Sequence, residues 1–281
     1  MSELNRRNFF RLSGLGLAAM VGRSALAVPA FDQSVPVKSV SGSVGIASYS
    51  LRKFDVDQVI TIMEKLHLQK ISLKSMHLPL DADKETINTV LSKMHDHGLD
   101  PSSAGVIYMK SEDEVDNAFR YAQLAGFKII VGVPDYSLLD YVEKRVKETD
   151  ITLAIHNHGP DGMPYPSPFM AYDMVSERDN RMGLCLDVGH TVRAGFNPVD
   201  VIAKVGDRIF ETHMRDVSSA SKAGRSCRPG EGVIDLPAVM KALQKVGYTG
   251  SYTIEYEEES DDPLAALAQT AGYLQGILAG L

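Results

Sequence analysis

Residues 183–190 read Gly-Leu-Cys-Leu-Asp-Val-Gly-His. In an extended chain successive side chains point to opposite faces, so Gly183, Cys185 and Asp187 share one face and Leu184 and Leu186 the other. A strand of this kind lines a tight interior with its small residues and meets helices with its large ones, and it carries an acid at its C-terminal end. The arrangement recurs twice. Thr152, Ala154 and His156 share a face in Thr152-Leu153-Ala154-Ile155-His156, as do Ser251, Thr253 and Glu255 in Ser251-Tyr252-Thr253-Ile254-Glu255. Three strands that agree in this way predict one sheet with chemistry gathered along its C-terminal edge.

From Val44 onward, short apolar runs alternate with amphipathic segments. Runs near 44–49, 70–73, 103–108, 128–133, 151–156, 182–187, 208–213 and 250–255 give eight candidate strands. Helix starts lie between them. Ser111-Glu112-Asp113-Glu114 reads as a capping box, and Ser167-Pro168, Asn197-Pro198 and Asp262-Pro263 each set a capping side chain before a proline at the first helical position. Gly98, Gly126, Gly206 and Gly247 follow helical runs as C-terminal stops. Strands alternating with helices predict an α/β fold with a parallel sheet. Eight such units predict a single (β/α)8 TIM barrel over residues 43–281, close to the usual size of about 250 residues. The competing doubly wound open sheet lacks a Gly-x-Gly-x-x-Gly after its first strand. It would also concentrate chemistry at one switch point, whereas here polar residues end four consecutive strands.

The chain has 281 residues, 44% of them hydrophobic and 23% charged, with a formal net charge of −7. No basic stripe runs through its body, which disfavours nucleic acid and anionic membrane surfaces as partners and leaves small neutral or carbonyl-bearing substrates. Residues 1–27 differ from the rest. The pair Arg6-Arg7, a short apolar stretch from Leu12 to Met20, and Ala25-Leu26-Ala27 make a charged n-region, an h-region and an A-x-A cleavage site of the twin-arginine type. The stretch is too short and too rich in Gly and Ala to span about 30 Å of hydrocarbon. A cleaved export signal is therefore expected, then a Pro/Ser/Val-rich linker at 28–42. No lipobox cysteine follows, so the expected product is periplasmic or otherwise exported and free of the membrane; homo-oligomerisation is left open. Cys185 lies in a predicted buried strand and Cys227 in a Gly/Ser/Arg-rich loop, and one such pair reads as two free thiols.

The strand ends His156-Asn157-His158, Asp187, His213-Met214-Arg215-Asp216 and Glu255 carry the candidate chemistry. Singly, each acid is explained by a helix cap or a surface ion pair. Together on facing strands they would repel one another and be desolvated unless something cationic sits between them, so a bound divalent metal is expected. Asp, Glu and His form a mixed O/N set that accepts Mn, Zn, Co or Fe. His213, in strand-end register, is the firmest imidazole ligand. His190, three residues past Asp187, could act as proton donor or substrate partner, or merely start the next helix. His77 is a weaker rim residue and, with His190 and Arg215, a candidate substrate contact; Lys74 reads as a solvated edge residue. His67, His95 and His97 fall on helical segments, where the helix dipole accounts for them.

The ordered set Leu-Asp-Val-Gly-His (186–190), His-Met-Arg-Asp (213–216), Pro-Gly-Glu-Gly-Val-Ile-Asp (229–235) and Gly-Tyr-Thr-Gly-Ser-Tyr-Thr-Ile-Glu-Tyr-Glu (247–257) resembles the xylose isomerase-like TIM-barrel superfamily of sugar isomerases and epimerases. That superfamily also includes inosose dehydratases, dehydroshikimate dehydratases and endonuclease IV, and the resemblance covers essentially all of the chain after the signal. It implies that Asp187, His213 and Glu255 are ligands after the sixth, seventh and eighth strands, that His190 faces substrate, and that the ion is Mn. After the fifth strand many members place a glutamate in a Glu-Asn-His context, but this chain has His156-Asn157-His158. His156 then becomes the fourth ligand, with His158 as the alternative. The departure also removes one of two carboxylates with which typical epimerases move a proton on either face of the substrate.

The expected activity is a divalent-metal-dependent sugar isomerase or epimerase acting on a non-phosphorylated sugar or keto-sugar. Its metal would hold a carbonyl and a neighbouring hydroxyl and stabilise the enediolate left when the adjacent carbon loses its proton. Glu255, or an imidazole of His156, His158 or His190, would be the base. Loss of a β-substituent from the same intermediate gives the close alternative, a lyase or dehydratase acting on a keto-sugar or 3-keto-glycoside. A non-catalytic sugar-binding barrel is a third reading. Export and the lack of a glycine-rich phosphate cradle argue against sugar phosphates, and endonuclease chemistry lacks a basic track for DNA.

Overall fold

The computed structural model describes residues 42–258 and 263–281. The export signal expected at 1–27, residues 28–41 of the linker, and Asp262 lie outside the described residues. The strands are β1 (Ser43–Ala47), β2 (Lys70–Leu73), β3 (Asp100–Met109), β4 (Ile129–Pro134), β5 (Thr152–His156), β6 (Met182–Asp187), β7 (Ile209–Met214), β8 (Asp216–Val217), β9 (Ser226–Cys227) and β10 (Ser251–Ile254). Eight of them close into a parallel barrel in the order β1-β10-β7-β6-β5-β4-β3-β2, the TIM barrel that the alternating runs predict. The antiparallel ribbon β8–β9 lies in the loop after β7. Two-residue strands are too short to show a period in sequence, and this ribbon was not foreseen.

Helices α1 (Val56–Lys65), α2 (Lys84–Asp96), α3 (Glu112–Ala125), α4 (Leu139–Thr149), α5 (Pro168–Val175), α6 (Val188–Arg193), α7 (Pro198–Val205), α8 (Leu236–Lys245) and α9 (Leu264–Ala279) complete the described elements. Ser167 and Asn197 cap α5 and α7 as expected, each before its proline. At α3, Ser111 accepts the Glu114 N–H, but the Glu114 carboxylate returns to the Lys110 N–H, one residue earlier than a reciprocal box requires. Pro263 immediately precedes α9. Gly98, Gly126 and Gly247 adopt left-handed φ values of 73°, 73° and 80° past helix ends, as their stop role demands. Gly206 does not: its φ is −60° and it opens a short 3-10 turn. A Cβ there would lie 2.7–2.9 Å from atoms of the Val246 side chain, so space rather than handedness selects glycine.

The alternation of small and large residues sets the barrel's cross-section. Val131, Ala154 and Cys185 pack together as a small cluster apart from the main core. Leu153, Ile155, Leu184 and Leu186 join the main core instead. Register carries the inward row around the barrel, with Val131 beside Ala154, His156 beside Cys185, Asp187 beside His213, and His213 beside Thr253. Small residues fill the interior lower down, and the inward row ends in His156, Asp187, His213 and Glu255 at the C-terminal mouth, where TIM barrels carry their active sites. Both cysteines are free thiols.

His77 differs from its expected place on the substrate rim. Its Nδ1 lies 2.9 Å from Ser48 Oγ, and its Nε2 faces the carbonyls of Leu51 and Phe54 at 3.2 and 3.1 Å. Both nitrogens are thus engaged by the segment after β1, and the ring is 4% exposed. It braces the β1 and β2 loops. Burial lowers its pKa, against the two carbonyl contacts, which work upward. The neutral folded ring is fully favourable above the unfolded pKa of about 6.5. As pH falls below that value the unfolded chain binds a proton that the folded ring resists, and stability is lost with a slope of at most about 1.4 kcal/mol per pH unit. His77→Gln should therefore lower stability at pH 7.5 yet flatten its decline between pH 7.5 and 5.5, measured as urea midpoints; an unchanged slope would contradict the bracing role.

Candidate metal centre

Asp187 ends β6 and caps α6. Its Oδ1 accepts the His190 backbone N–H at 2.6 Å, which leaves Oδ2 for the interior. Asn157 ties this strand end to its neighbour: its Oδ1 accepts the Asp187 N–H at 3.0 Å, while its Nδ2 donates to the Asp187 carbonyl at 3.4 Å and to Thr191 Oγ1 at 3.3 Å. The middle residue of His156-Asn157-His158 is thus a splice between β5 and β6.

One ligand atom each from His156, Asp187, His213 and Glu255 lie within 4.8 Å of one another, and all four residues are buried. His156 Nε2 is 3.6 Å from Asp187 Oδ2, and His213 Nδ1 is 3.1 Å from Glu255 Oε2. Despite that crowding, both nitrogens of both rings and Asp187 Oδ2 lack an aligned hydrogen bond. Buried polar atoms nearly always find partners. Atoms that approach closely without bonding one another suit a shared ion, and two imidazoles with two carboxylates are a fitting donor set for a divalent metal.

Arg215 adds what the sequence did not reveal. It is 3% exposed; its Nη2 lies 2.6 Å from both Glu255 Oε2 and Glu257 Oε1, and its Nε 3.1 Å from Asp187 Oδ2. The expected cation between Asp187 and Glu255 is in part this guanidinium, a built-in counter-cation. Its engagement by carboxylates also takes it from the substrate-contact role expected of it. Gly189 makes room for it: a Cβ at 189 would collide with the Arg215 side chain. Three carboxylates face this one guanidinium; against burial, Cys185 and Glu255 also raise the pKa of His213, so a protonated His213 shares the counter-cation role that a divalent ion would take over.

The protonation states redistribute the expected roles. Burial pushes the Glu255 carboxyl up, but His213 and Arg215 outweigh it and hold it well below the usual carboxylate range. Asp187 is likewise held low, by Arg215 and His190 against burial. Glu255 is therefore a good ligand and a weak base, which weighs against its expected role as the base. Burial takes His190 down to about 3, with Arg215 adding to the effect and Asp187 opposing it. Its Nδ1 lies 3.4 Å from Arg193 Nη1 and its Nε2 3.5 Å from Arg215 Nη1, two cations that disfavour the charged ring. Burial, with His156 beside it, takes His158 down to about 4. His158 Nδ1 donates to the Pro164 carbonyl at 2.7 Å and its Nε2 pairs with Tyr108 Oη at 3.0 Å. The converging set thus contains His156, and His158 stands in the adjoining wall with a ring centroid 4.9 Å from that of His156.

Three residues near the site were not singled out as functional from sequence. Tyr108 and Lys74 belong to the mouth; Lys74 Nζ donates to the Val106 carbonyl at 3.2 Å and lies 5.1 Å over the Tyr49 ring. The inward parity of Lys70, Ser72 and Lys74 was the available signal for it. Asp216 is a clamp whose carboxylate accepts the N–H groups of Val217, Gly230, Gly232 and Ile234 at 2.8–3.1 Å, which explains why His-Met-Arg-Asp and Pro-Gly-Glu-Gly-Val-Ile-Asp occur together.

A family model described as xylose isomerase-like TIM barrel matches residues 136–277. An inosose dehydratase of Lacticaseibacillus casei is 25% identical over 136 residues, covering 43% of this chain and 45% of the relative. The chain spans about half the length of the curated relatives it matches. Among solved structures, the IolI protein with a bound zinc atom superposes with a TM-score of 0.72 at 17% identity, covering 85% of this chain and 98% of that one. The probable 3-DHS dehydratase AsbF of Bacillus anthracis gives 0.67 at 12% identity, covering 83% and 98%. At such identities these likenesses speak for the fold alone. The match to the family model over half of the sequence, on a closed eight-stranded barrel, makes this chain a member of the xylose isomerase-like TIM barrel family.

Proposed function

We propose that the protein is a divalent-metal-dependent lyase that eliminates water or an alcohol from a non-phosphorylated keto-sugar, an inosose or a 3-keto-glycoside, with isomerisation or epimerisation of the same substrate class as the second reading. The observation that carries the metal dependence is the convergence of His156, Asp187, His213 and Glu255 with orphaned donor atoms. A bound ion would supply Lewis acidity at a substrate carbonyl and adjacent hydroxyl, making the neighbouring C–H acidic.

The order of the two reactions follows from the carboxylates. A two-base epimerisation needs a base on each face of the substrate, a part that two carboxylates play in typical epimerases; the fifth strand offers His156 in place of one, and Glu255 is already shared by Arg215 and His213. Elimination needs proton removal on one face and proton delivery to a departing oxygen. The dehydratases among the relatives and fold neighbours agree with that choice. Arg215 keeps Asp187 and Glu255 ionised and fixed. Tyr108 near the end of β3 and Tyr136 after β4, 39% and 42% exposed, give a rim of aromatic faces suited to the C–H faces of a sugar ring. No helix among the described residues is long and apolar enough to cross a membrane. We also propose export through the twin-arginine-type segment, which N-terminal sequencing of periplasmic protein tests: mature chains should begin at Val28.

Chelation should destabilise the fold, since an ion held at about a hundred times its dissociation constant adds about 2.7 kcal/mol, roughly 5–10 °C of melting temperature for a chain of this size. Restoring Mn or Zn should recover the loss, and Asp187→Asn should abolish the recovery; a melting temperature indifferent to chelator would contradict the site. With inosose and a 3-keto-glycoside in deuterated water, a lyase yields an unsaturated product and a released fragment, whereas an isomerase exchanges substrate C–H without fragmentation. Glu255→Gln should lower that turnover at least about 10²-fold. Retained binding with no turnover in either form would point to a sugar-binding barrel instead.

A further inference from the structure

The barrel mouth is divided. β5, β6, β7 and β10 lead to the four candidate ligands, while the segments ending β1, β2 and β3 contribute Tyr49, Lys74 and Tyr108. Gly45 pairs with both Lys70 and Thr253, and Ala47 with Ser72, so Lys70 and Ser72 lie on the inward row that leads, on β10, to Glu255. Lys74 continues that row one step past the end of β2, with its backbone N–H fixed to Ser48 Oγ at 2.8 Å. Its Nζ has the Val106 carbonyl and the face of Tyr49 as neighbours. Among the described residues no carboxylate comes within ion-pair distance of it, in contrast to Arg215, which engages three. A half-buried lysine without an anionic partner is unfavourable as a structural device and characteristic of amines kept available for proton transfer.

The other polar heads at the mouth are taken. Both nitrogens of His158 are bonded, His190 is bracketed by two arginines, and Glu255 Oε2 is shared. The charged and titratable groups facing Lys74 are Tyr49, Tyr108, Glu255 and Glu257, with Arg52 on the Tyr49 ring at 5.0 Å. Burial lowers the lysine's pKa, while Glu255 and Glu257 work the other way.

We propose that Lys74 is the proton-transferring residue of this site, a role that rests on the functional reading above. Its neutral amine takes the C–H proton next to the substrate carbonyl. The C–H electron pair passes into the carbonyl system and then forms the carbon–carbon double bond as the β C–O bond breaks. The ammonium so formed gives its proton to the departing oxygen on the same face. The products are an unsaturated ketone and water or an alcohol, and the amine is regenerated. A single residue then does the work for which a second carboxylate is missing at the His156 corner.

The test compares wild type, Lys74→Met and Lys74→Arg, loaded with Mn, acting on inosose and on methyl 3-ketoglucopyranoside in deuterated water, followed by proton NMR. Lys74→Met should keep its metal content and its KM within about threefold while losing about 10²–10⁴ of the rate. Lys74→Arg should not restore the rate, and added ethylamine should partly rescue Lys74→Ala. A Lys74→Met rate within tenfold of wild type, a loss of metal, or an imine trapped by borohydride would overturn the proposal. A second measurement does not depend on turnover: in protein carrying ¹³C at lysine Cε, the Lys74 signal, identified by its absence in Lys74→Arg, should titrate below the ordinary lysine range. An ordinary titration overturns the proposal even if both probes prove inert, whereas inert probes with a low titration count against the substrate class alone.

Discussion

Two buried carboxylates, Asp187 and Glu255, share one guanidinium, that of Arg215, at the C-terminal mouth of a closed barrel, and Glu257 draws on the same cation. Removing ions from water costs several kcal/mol each, and the cost is recovered only where opposite charge and hydrogen bonds are well placed. Arg215 offsets part of that cost and fixes the two oxygens in space. The unbonded nitrogens of His156 and His213 beside it suit the cluster to a divalent ion. An ion bound there would couple the site to folding, because the orphaned donor atoms would then find a partner.

Much of the surrounding structure keeps this cluster in place. Asn157 locks β5 to β6 beneath Asp187, Gly189 clears the path of Arg215, and the Asp216 carboxylate gathers four backbone N–H groups of the loop that follows β7. The small interior residues Ala154 and Cys185 bring the strands close enough for side chains from β5, β6, β7 and β10 to meet over one point. His77 performs the matching task for the half of the mouth that carries no metal ligand, by tying the loop after β2 to the one after β1.

The barrel and the ligand set were legible because both rest on a two-residue period. Asp187, Glu255 and His156 share faces with small residues, and parity alone separates them from the helix-facing leucines. What stayed hidden depends on partners remote in sequence. Nothing local distinguishes Arg215 buried among carboxylates from an arginine reaching for substrate, or His77 braced by two carbonyls from a histidine on the rim. The Glu255 shift was hidden for the same reason: burial alone raises a carboxyl, and only the positions of His213 and Arg215 reverse it. Lys74 was legible in principle from the inward row of Lys70 and Ser72, but a lysine at a strand end is so often solvated that parity alone did not single it out. The ribbon β8–β9 was beyond reach, since its pairing is set by Asp216 and the glycines it holds.

The central claim is that His156, Asp187, His213 and Glu255 together bind one divalent ion. Anomalous diffraction from crystals of the protein isolated without chelator, recorded at the Mn, Fe, Co and Zn absorption edges, tests it most directly. One strong peak is predicted about 2.0–2.3 Å from a nitrogen of each of the two imidazoles and an oxygen of each of the two carboxylates. No peak at that point after soaking in these metals, with His156 and His213 turned to hydrogen-bond partners of their own, would contradict the account.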